Sequence, residues 1–405
     1  LKISRPDTDT KELDFQAAIL NFLNKKAIPL GLPTVIPTME GDFYKKINNQ
    51  YGQNRFIRIQ KWVGGRVVDA INPRTDELLQ SWGKTVGQLS THLQDFDHEA
   101  AHRFYKWNPC ETLYSRQYST HFQTEKQTET AHYYWGYFEK NTLSKLIHLR
   151  KSVNYGDGHE LNLIANHDLK TPQITGVIDF GDALYMPTVC DLAIACAYAG
   201  MKFDRPLEAM AEVVKGYHAT FLLQEKEIEV LFSLITARLM ITVANAAFNK
   251  FKEPDNEYLQ ISERPAWDVL EKLKSIHPNL AHYTFRNACG FVPHPKAVLF
   301  EKWATDEQKN FASIVDFNDK KIELLDLSVG SLDLGNNHNF DDQGRFAKHF
   351  QRLLEDKEIE IGIGGYGEIR PFYTTDAYQV IGNHGPQWRT VHLGLDIWDV
   401  AETPV

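Results

Sequence analysis

The sequence predicts an α+β chain: short strands and amphipathic helices at the front, a mainly helical middle, and a smaller β-rich part at the end. Three observations predict it. Residues 11–24, KELDFQAAILNFLN, place Leu13, Ala17, Leu20 and Leu23 at helical spacing. Residues 55–63, RFIRIQKWV, alternate Phe56, Arg58 and Gln60 with Ile57 and Ile59 and run into Gly64-Gly65, a strand ending in a turn. Beyond about residue 288, the segments FASIVDF, KIELLDLSV, IEIGIGGYGEI and RTVHLGLDIW all favour strands.

The elements between follow in order. Residues 74–96 form a second helix with Leu78, Leu79, Trp82, Val86 and Leu89 on one side. After residue 97 the composition turns polar and aromatic, read as a loop and a further helix. Residues 186–275 are mainly helical, in segments 191–200, 206–223 and 225–251, with Ser262 as N-cap of a fourth. The change of character near ACGFVPHPKAV sets a domain boundary at about residue 292, giving parts 1–292 and 293–405.

The bulk composition narrows the function classes. The 405 residues are 42% hydrophobic and 24% charged, ordinary for a globular chain. A net charge of −9 argues against a nucleic-acid partner and is compatible with a cationic or amine-bearing substrate. Four scattered cysteines without a CxxC pair favour a reducing, cytoplasmic setting over a disulfide framework. No apolar run is read as reaching the roughly 18 residues of a membrane span.

Two stretches carry chemistry. SVNYGDGHELNLIA (152–165) holds Asp157 and, five residues on, Asn162; ITGVIDFGD (174–182) puts Asp179 at the end of an apolar strand. The interval between Asn162 and Asp179 suits a short hairpin, so the three groups can converge. Phosphoryl transfer asks mainly for positioning and charge neutralisation. One carboxylate accepts the proton of an acceptor hydroxyl, while an asparagine oxygen and a second carboxylate hold Mg²⁺ against nucleotide phosphates. D-x4-N followed by D-F-G is the kinase-type order.

With these motifs the chain resembles the aminoglycoside phosphotransferase family of small-molecule kinases, and within it the hydroxylysine-kinase-type domains. The likeness covers about residues 1–292, most specifically ITGVIDFGDALYMPTVCDLAIACAYAG and AWDVLEKLKSIHPNLAHYTFRNACG. It implies a two-lobed protein-kinase-like fold, ATP and Mg²⁺ as cofactors, and an amino alcohol, hydroxylysine- or ethanolamine-like, as phosphate acceptor. Aminoglycosides stay open as acceptors, and so does a non-catalytic nucleotide-binding module. By the family pattern Asp157 matches the catalytic base, Asn162 and Asp179 the metal ligands, and Asp191 the buried aspartate that braces the catalytic loop. Asp182 is either a substrate-amine contact or a solvated turn residue. Tyr155 departs from the family's usual histidine. His159 stands where asparagine is more usual and reads otherwise as an exposed loop histidine.

The resemblance extends to the front end. Lys2 in LKIS matches the strand lysine that anchors nucleotide phosphates, with Glu12 as its expected helix partner. The glycine-rich hairpin would then precede residue 1, so a truncated N-lobe and a fragment of a longer protein are expected. RIQKWVGG resembles the hinge between lobes, with Gln60 and Trp62 facing adenine; an ordinary edge strand is the alternative.

At the far end, His392 and Asp396 in RTVHLGLDIWDVAETPV resemble the first ligand motif of lysostaphin-type zinc endopeptidases. GYGEIRPFY and the TPV ending fit that context. This reads as half a Zn²⁺ site, against a structural His-Asp pair, and it leaves open the alternative that the kinase-like part regulates an attached zinc peptidase. The order kinase-like then peptidase-like resembles fusions to class-III aminotransferase domains, so a covalently linked downstream domain is expected.

Overall fold

The computed structural model describes every residue except 7, 257–260, 341, 374–375 and 400–405. The chain divides into two compact units, Leu1–Ala297 and Val298–Val405.

The first unit opens with a small lobe. β1 (Lys2–Ile3) leads to α1 (Thr10–Lys25), then β2 (Val35–Ile36), β3 (Lys45–Asn48) and β4 (Asn54–Gln60). β4 is the centre of the sheet and pairs antiparallel with the other three strands. Asp9 caps α1 by accepting from the Lys11 N–H, and Leu13, Ala17, Leu20 and Leu23 are buried along one side, as their spacing predicts.

Residues 61–65 carry the chain into β5 (Arg66–Val67) and the larger lobe. Helices α2 (Asp76–Leu93) and α3 (Glu125–Asn141) follow, separated by 3-10 turns. Next come β6 (Lys151–Asn154), β7 (Leu163–Ala165), β8 (Ile174–Val177) and β9 (Leu184–Pro187). β7 pairs with β5 and β8, and β6 with β9, all antiparallel. The β7–β8 hairpin is the one expected between Asn162 and Asp179. A second tie joins the lobes: Gly31 donates its N–H to Thr175 O at 2.7 Å and accepts from Val177 N at 3.0 Å.

The rest of this unit is a helical bundle: α4 (Val189–Ala199), α5 (Pro206–His218), α6 (Glu225–Lys252), α7 (Glu263–Lys274) and α8 (Pro278–Ala288). Ser262 stands at the N-cap of α7, but its side chain makes no capping bond. α2 and α5 cross closely because Gly83 and Gly216 face each other's backbones, where a Cβ would overlap Val213 O and Gln80 O.

α6 corrects one expectation. It is long and apolar enough by length and composition to cross a membrane, yet the qualifying window is entirely buried inside the fold. A helix apolar all round is the signature of a core helix. Leu231, Leu234 and Leu239 are each fully buried, worth roughly 1.5–3 kcal/mol apiece.

The second unit is less β-rich than expected. Its strands are Ile322–Leu325, Ile361–Gly364, Gln379–Gly382, Gly385–Trp388 and Asp396–Trp398. Helices Ala297–Glu307 and Gln343–Asp356 were not anticipated, and the FASIVDF segment is not a strand. A small core of Leu325, Leu327, Leu334, Phe350 and Ile359 holds it together.

Candidate active site

The loop between β6 and β7 carries the first group of expected residues. It is held from below by Asp191, in the first turn of α4, which is 1% exposed. Its Oδ2 accepts the Tyr155 N–H at 2.9 Å and its Oδ1 the Gly156 N–H at 2.7 Å. Burial pushes this carboxyl up to about 7, and the two N–H donors limit the rise. Gly156 has φ +82, and a Cβ there would overlap the carbonyl oxygen of Asp182. Gly156→Ala is therefore expected to lower the melting temperature and to displace Asp157; an unchanged melting curve together with unchanged turnover would disprove this.

Tyr155 fills the place of the usual histidine with a buried ring against Phe180. Its hydroxyl donates to Ile178 O at 2.5 Å, one residue ahead of Asp179. Asp179 itself has φ +58, a left-handed conformation uncommon for a residue with a Cβ. Tyr155 thus ties the first loop to the backbone that presents Asp179.

Asp157 is held on both oxygens. Oδ2 accepts from Asn162 Nδ2 at 2.7 Å and lies 3.2 Å from His159 Nε2; Oδ1 accepts from Arg238 Nη2 at 3.2 Å. Burial alone would raise this carboxyl. The His159 hydrogen bond and charge, the Arg238 charge and the Asn162 bond outweigh it and keep Asp157 below the ordinary carboxylate range. His159 is not an exposed loop residue: its side chain is 17% exposed and its Nδ1 accepts from Leu161 N at 3.1 Å, which leaves Nε2 to face Asp157.

Asp179 meets Lys2, whose Nζ lies 3.1 Å from Oδ2. The carboxylate at Lys2 is therefore Asp179 and not Glu12. Glu12 is exposed in the first turn of α1; Gln16, one turn later, accepts a hydrogen bond from Arg58 of the sheet. Arg58 pairs across the sheet with Lys2 and feels the charge of Asp179. Gln60 ends β4 opposite Val35, and Trp62 follows in the irregular link, 85% exposed. These two sit where the chain passes between lobes.

Asp182 is no solvated turn residue. Its Oδ1 accepts from the Tyr105 hydroxyl at 2.5 Å. Burial and the charge of Asp157 push its carboxyl up to about 6, with the Tyr105 bond opposing. Asp157, Asp179 and Asp182 line one cleft of about 430 Å³ together with Tyr105, Trp107, Tyr198 and Arg238. The cleft is thus acidic and aromatic, a surrounding that suits an organic cation.

His392 and Asp396 lie in the second unit, where both are engaged by neighbouring side chains. Asp396 Oδ2 accepts from Arg370 Nη1 at 2.5 Å, and the Arg370 side chain is 2% exposed. Tyr373 Oη lies 2.7 Å from His392 Nδ1, and His392 Nε2 is 3.5 Å from Asp396. The buried guanidinium thus binds the same carboxylate oxygen that faces His392. Among the described residues no three His, Cys, Asp or Glu side chains gather into a metal-holding group. The TPV ending lies outside the described residues.

Sequence reasoning missed Arg238, Arg58 and Tyr105. None sits in a local motif; a charged residue inside an otherwise apolar helix was the one available signal, at Arg238.

A small sheet lobe and a helical lobe, with a cleft lined by Asp157 and Asp179 and with Asn162 bonded to Asp157, define a kinase-like phosphotransferase acting on a hydroxyl group. The chain belongs to the phosphotransferase enzyme family, whose description matches residues 1–224. Hydroxylysine kinase of Mus musculus is 24% identical over 288 residues, covering 67% of this chain and 76% of its own length. Hydroxylysine kinase of Danio rerio is 24% identical over 270 residues, 64% and 75% respectively. Among solved structures, the amicoumacin kinase hAmiN in complex with AMP-PNP, Ca²⁺ and Ami shares the fold with a TM-score of 0.50 at 16% identity, over 67% of this chain and 81% of its own.

Proposed function

We propose that this chain is an ATP-dependent kinase that phosphorylates the hydroxyl of a small amino alcohol, hydroxylysine- or ethanolamine-like. The carrying observation is the cleft in which Asp157 and Asp182 face the same space beside Tyr105 and Trp107. Asp157 accepts the proton of the acceptor hydroxyl, and Asp182 receives the ammonium group. The hydroxylysine kinases, matched over about three quarters of their length, support that substrate class.

The donor set fits a hard divalent cation. Asn162 spends its Nδ2 on Asp157, which leaves its amide oxygen free to serve beside the Asp179 carboxylate. When bound, Mg²⁺ supplies charge neutralisation at the transferred phosphoryl group. Lys2 and Arg58 add positive charge on the phosphate side, and the backbone from Gln60 to Trp62 meets the adenine. Asp191 and Tyr155 keep the two loops in register. Four free thiols, Cys110, Cys190, Cys196 and Cys289, support a reducing compartment such as the cytoplasm.

The test is incubation with Mg-ATP and a panel of amino alcohols and aminoglycosides, with phosphorylated product read by mass spectrometry. Product from an amino alcohol supports the proposal. ATP binding without any product from the panel overturns it in favour of a nucleotide-binding module.

A pH profile tests the place of Asp182. Its carboxyl titrates near 6, so the ionised form that attracts an ammonium is lost as pH falls below that value. The KM for the amino alcohol is expected to rise below pH 6, approaching about tenfold per unit, while the KM for ATP changes less. Asp182→Asn should raise KM at pH 8 and flatten the profile. A wild-type KM that is flat across pH 5–8 would remove Asp182 from substrate binding.

A further inference from the structure

Arg238 lies in the middle of α6, beyond the residues that the family description matches. Its side chain is 3% exposed. A charge buried to that degree is costly unless it is paired. Each part of the guanidinium that finds a partner finds it at the cleft. Nη2 donates to Asp157 Oδ1 at 3.2 Å and to the Tyr198 hydroxyl at 3.3 Å; Nη1 donates to Trp107 O at 2.8 Å. The guanidinium also lies over the rings of Trp107 and Tyr198, 5.0 and 5.4 Å from their centroids.

The bonds on Asp157 define a direction. An ionised carboxylate offers about four acceptor sites, two per oxygen. Asn162 and His159 both occupy Oδ2, while Arg238 takes one site on Oδ1. The remaining site is on Oδ1, and Asp157 lines the cleft. We propose that Arg238 is a positioning residue for the transfer: it clamps Asp157 so that a substrate hydroxyl can donate only to Oδ1, on the side of Trp107 and Tyr198. Its hold on Trp107 O fixes the wall of the cleft against the same carboxylate. This rests on the kinase reading above. Phosphoryl transfer makes modest demands on the basicity of the accepting group and large ones on its placement, so a clamp that also opposes protonation is compatible with turnover.

The test compares Arg238→Ala and Arg238→Lys with the wild type. Arg238→Ala is expected to lower kcat by roughly 10²-fold, with the KM for Mg-ATP nearly unchanged. Millimolar guanidinium should restore part of kcat in Arg238→Ala, and methylammonium at equal concentration should not. Arg238→Lys should remain impaired, because a point charge cannot span Asp157 and Trp107 O together. Unchanged kcat in a folded variant, or a loss in kcat and ATP affinity alike without guanidinium rescue, would overturn the proposal.

A thermal-unfolding cycle of Asp157→Asn, Arg238→Met and the double variant reads the pairing without activity. Less-than-additive losses in melting temperature support it, and additive losses overturn it. If the wild type phosphorylates nothing in the panel yet the cycle shows coupling, the kinase reading fails and the clamp on Asp157 stands.

Discussion

Asp157→Asn is expected to lower kcat by about 10²- to 10⁴-fold, the range for removing a positioned general base, while nucleotide affinity changes little. Asparagine preserves the shape of the side chain, so the loop keeps its path over Asp191. What it loses is the charge that accepts a proton and answers Arg238. Single-turnover product formation gives the first effect, and calorimetric titration with Mg-ATP the second. A variant that turns over at the wild-type rate would transfer the base to another group, with Asp182 next in line by position. The same variant is expected to unfold at lower temperature, because it leaves the buried Arg238 charge short of a counter-ion.

Asp191→Ala is expected to cost roughly 2–6 kcal/mol of stability, the sum of orphaning two buried backbone N–H groups at about 1–3 kcal/mol each. The activity should go with it, since those N–H groups belong to Tyr155 and Gly156, immediately before Asp157. Asp191→Asn retains an acceptor oxygen and should lose less. Urea unfolding separates the three proteins.

The pH dependence gives a second reading of the same site. Burial lifts Asp191 to about 7 from an ordinary 3.8, so the folded state holds the proton more tightly than the unfolded chain. Its contribution to stability is present below about pH 4 and is lost as pH rises towards 7. Asp191→Asn should flatten that part of the stability profile. An identical slope in the variant would place the titration elsewhere.

The parts of this site that were legible in the sequence are the local ones. Asp157 and Asn162 lie five residues apart in one loop, Asp179 follows an apolar strand, and the hairpin between them is short enough to bring all three together. Arg238 was not legible for the opposite reason: 81 residues separate it from Asp157, and only the packing of α6 brings them within reach. Glu12 shows a different limit. Spacing pointed to a partner on α1, but Lys2 pairs with Asp179, 177 residues away in sequence, and the α1 side chain Gln16 bonds Arg58 instead. In the second unit the helix Gln343–Asp356 carries Phe346, Phe350 and Leu353 at helical spacing, a signal obscured by the strand-like segments around it. His392 and Asp396 matched a ligand spacing, yet a buried arginine distant in sequence from Asp396 claims the carboxylate.

The ion pair between Lys2 and Asp179 joins the first strand of one lobe to the far wall of the cleft in the other. Its two side chains are 42% and 49% exposed, so it contributes at most about 1 kcal/mol. Filling the cleft is therefore an exchange of partners more than an addition. A cation taken by Asp179 releases Lys2 for an anion, and an anion taken by Lys2 releases Asp179 for a cation. Each event lowers the obstacle to the other, and by thermodynamic reciprocity the two must help each other equally. Metal and nucleotide should consequently bind as a cooperative pair, with a coupling no larger than the weak pair they replace.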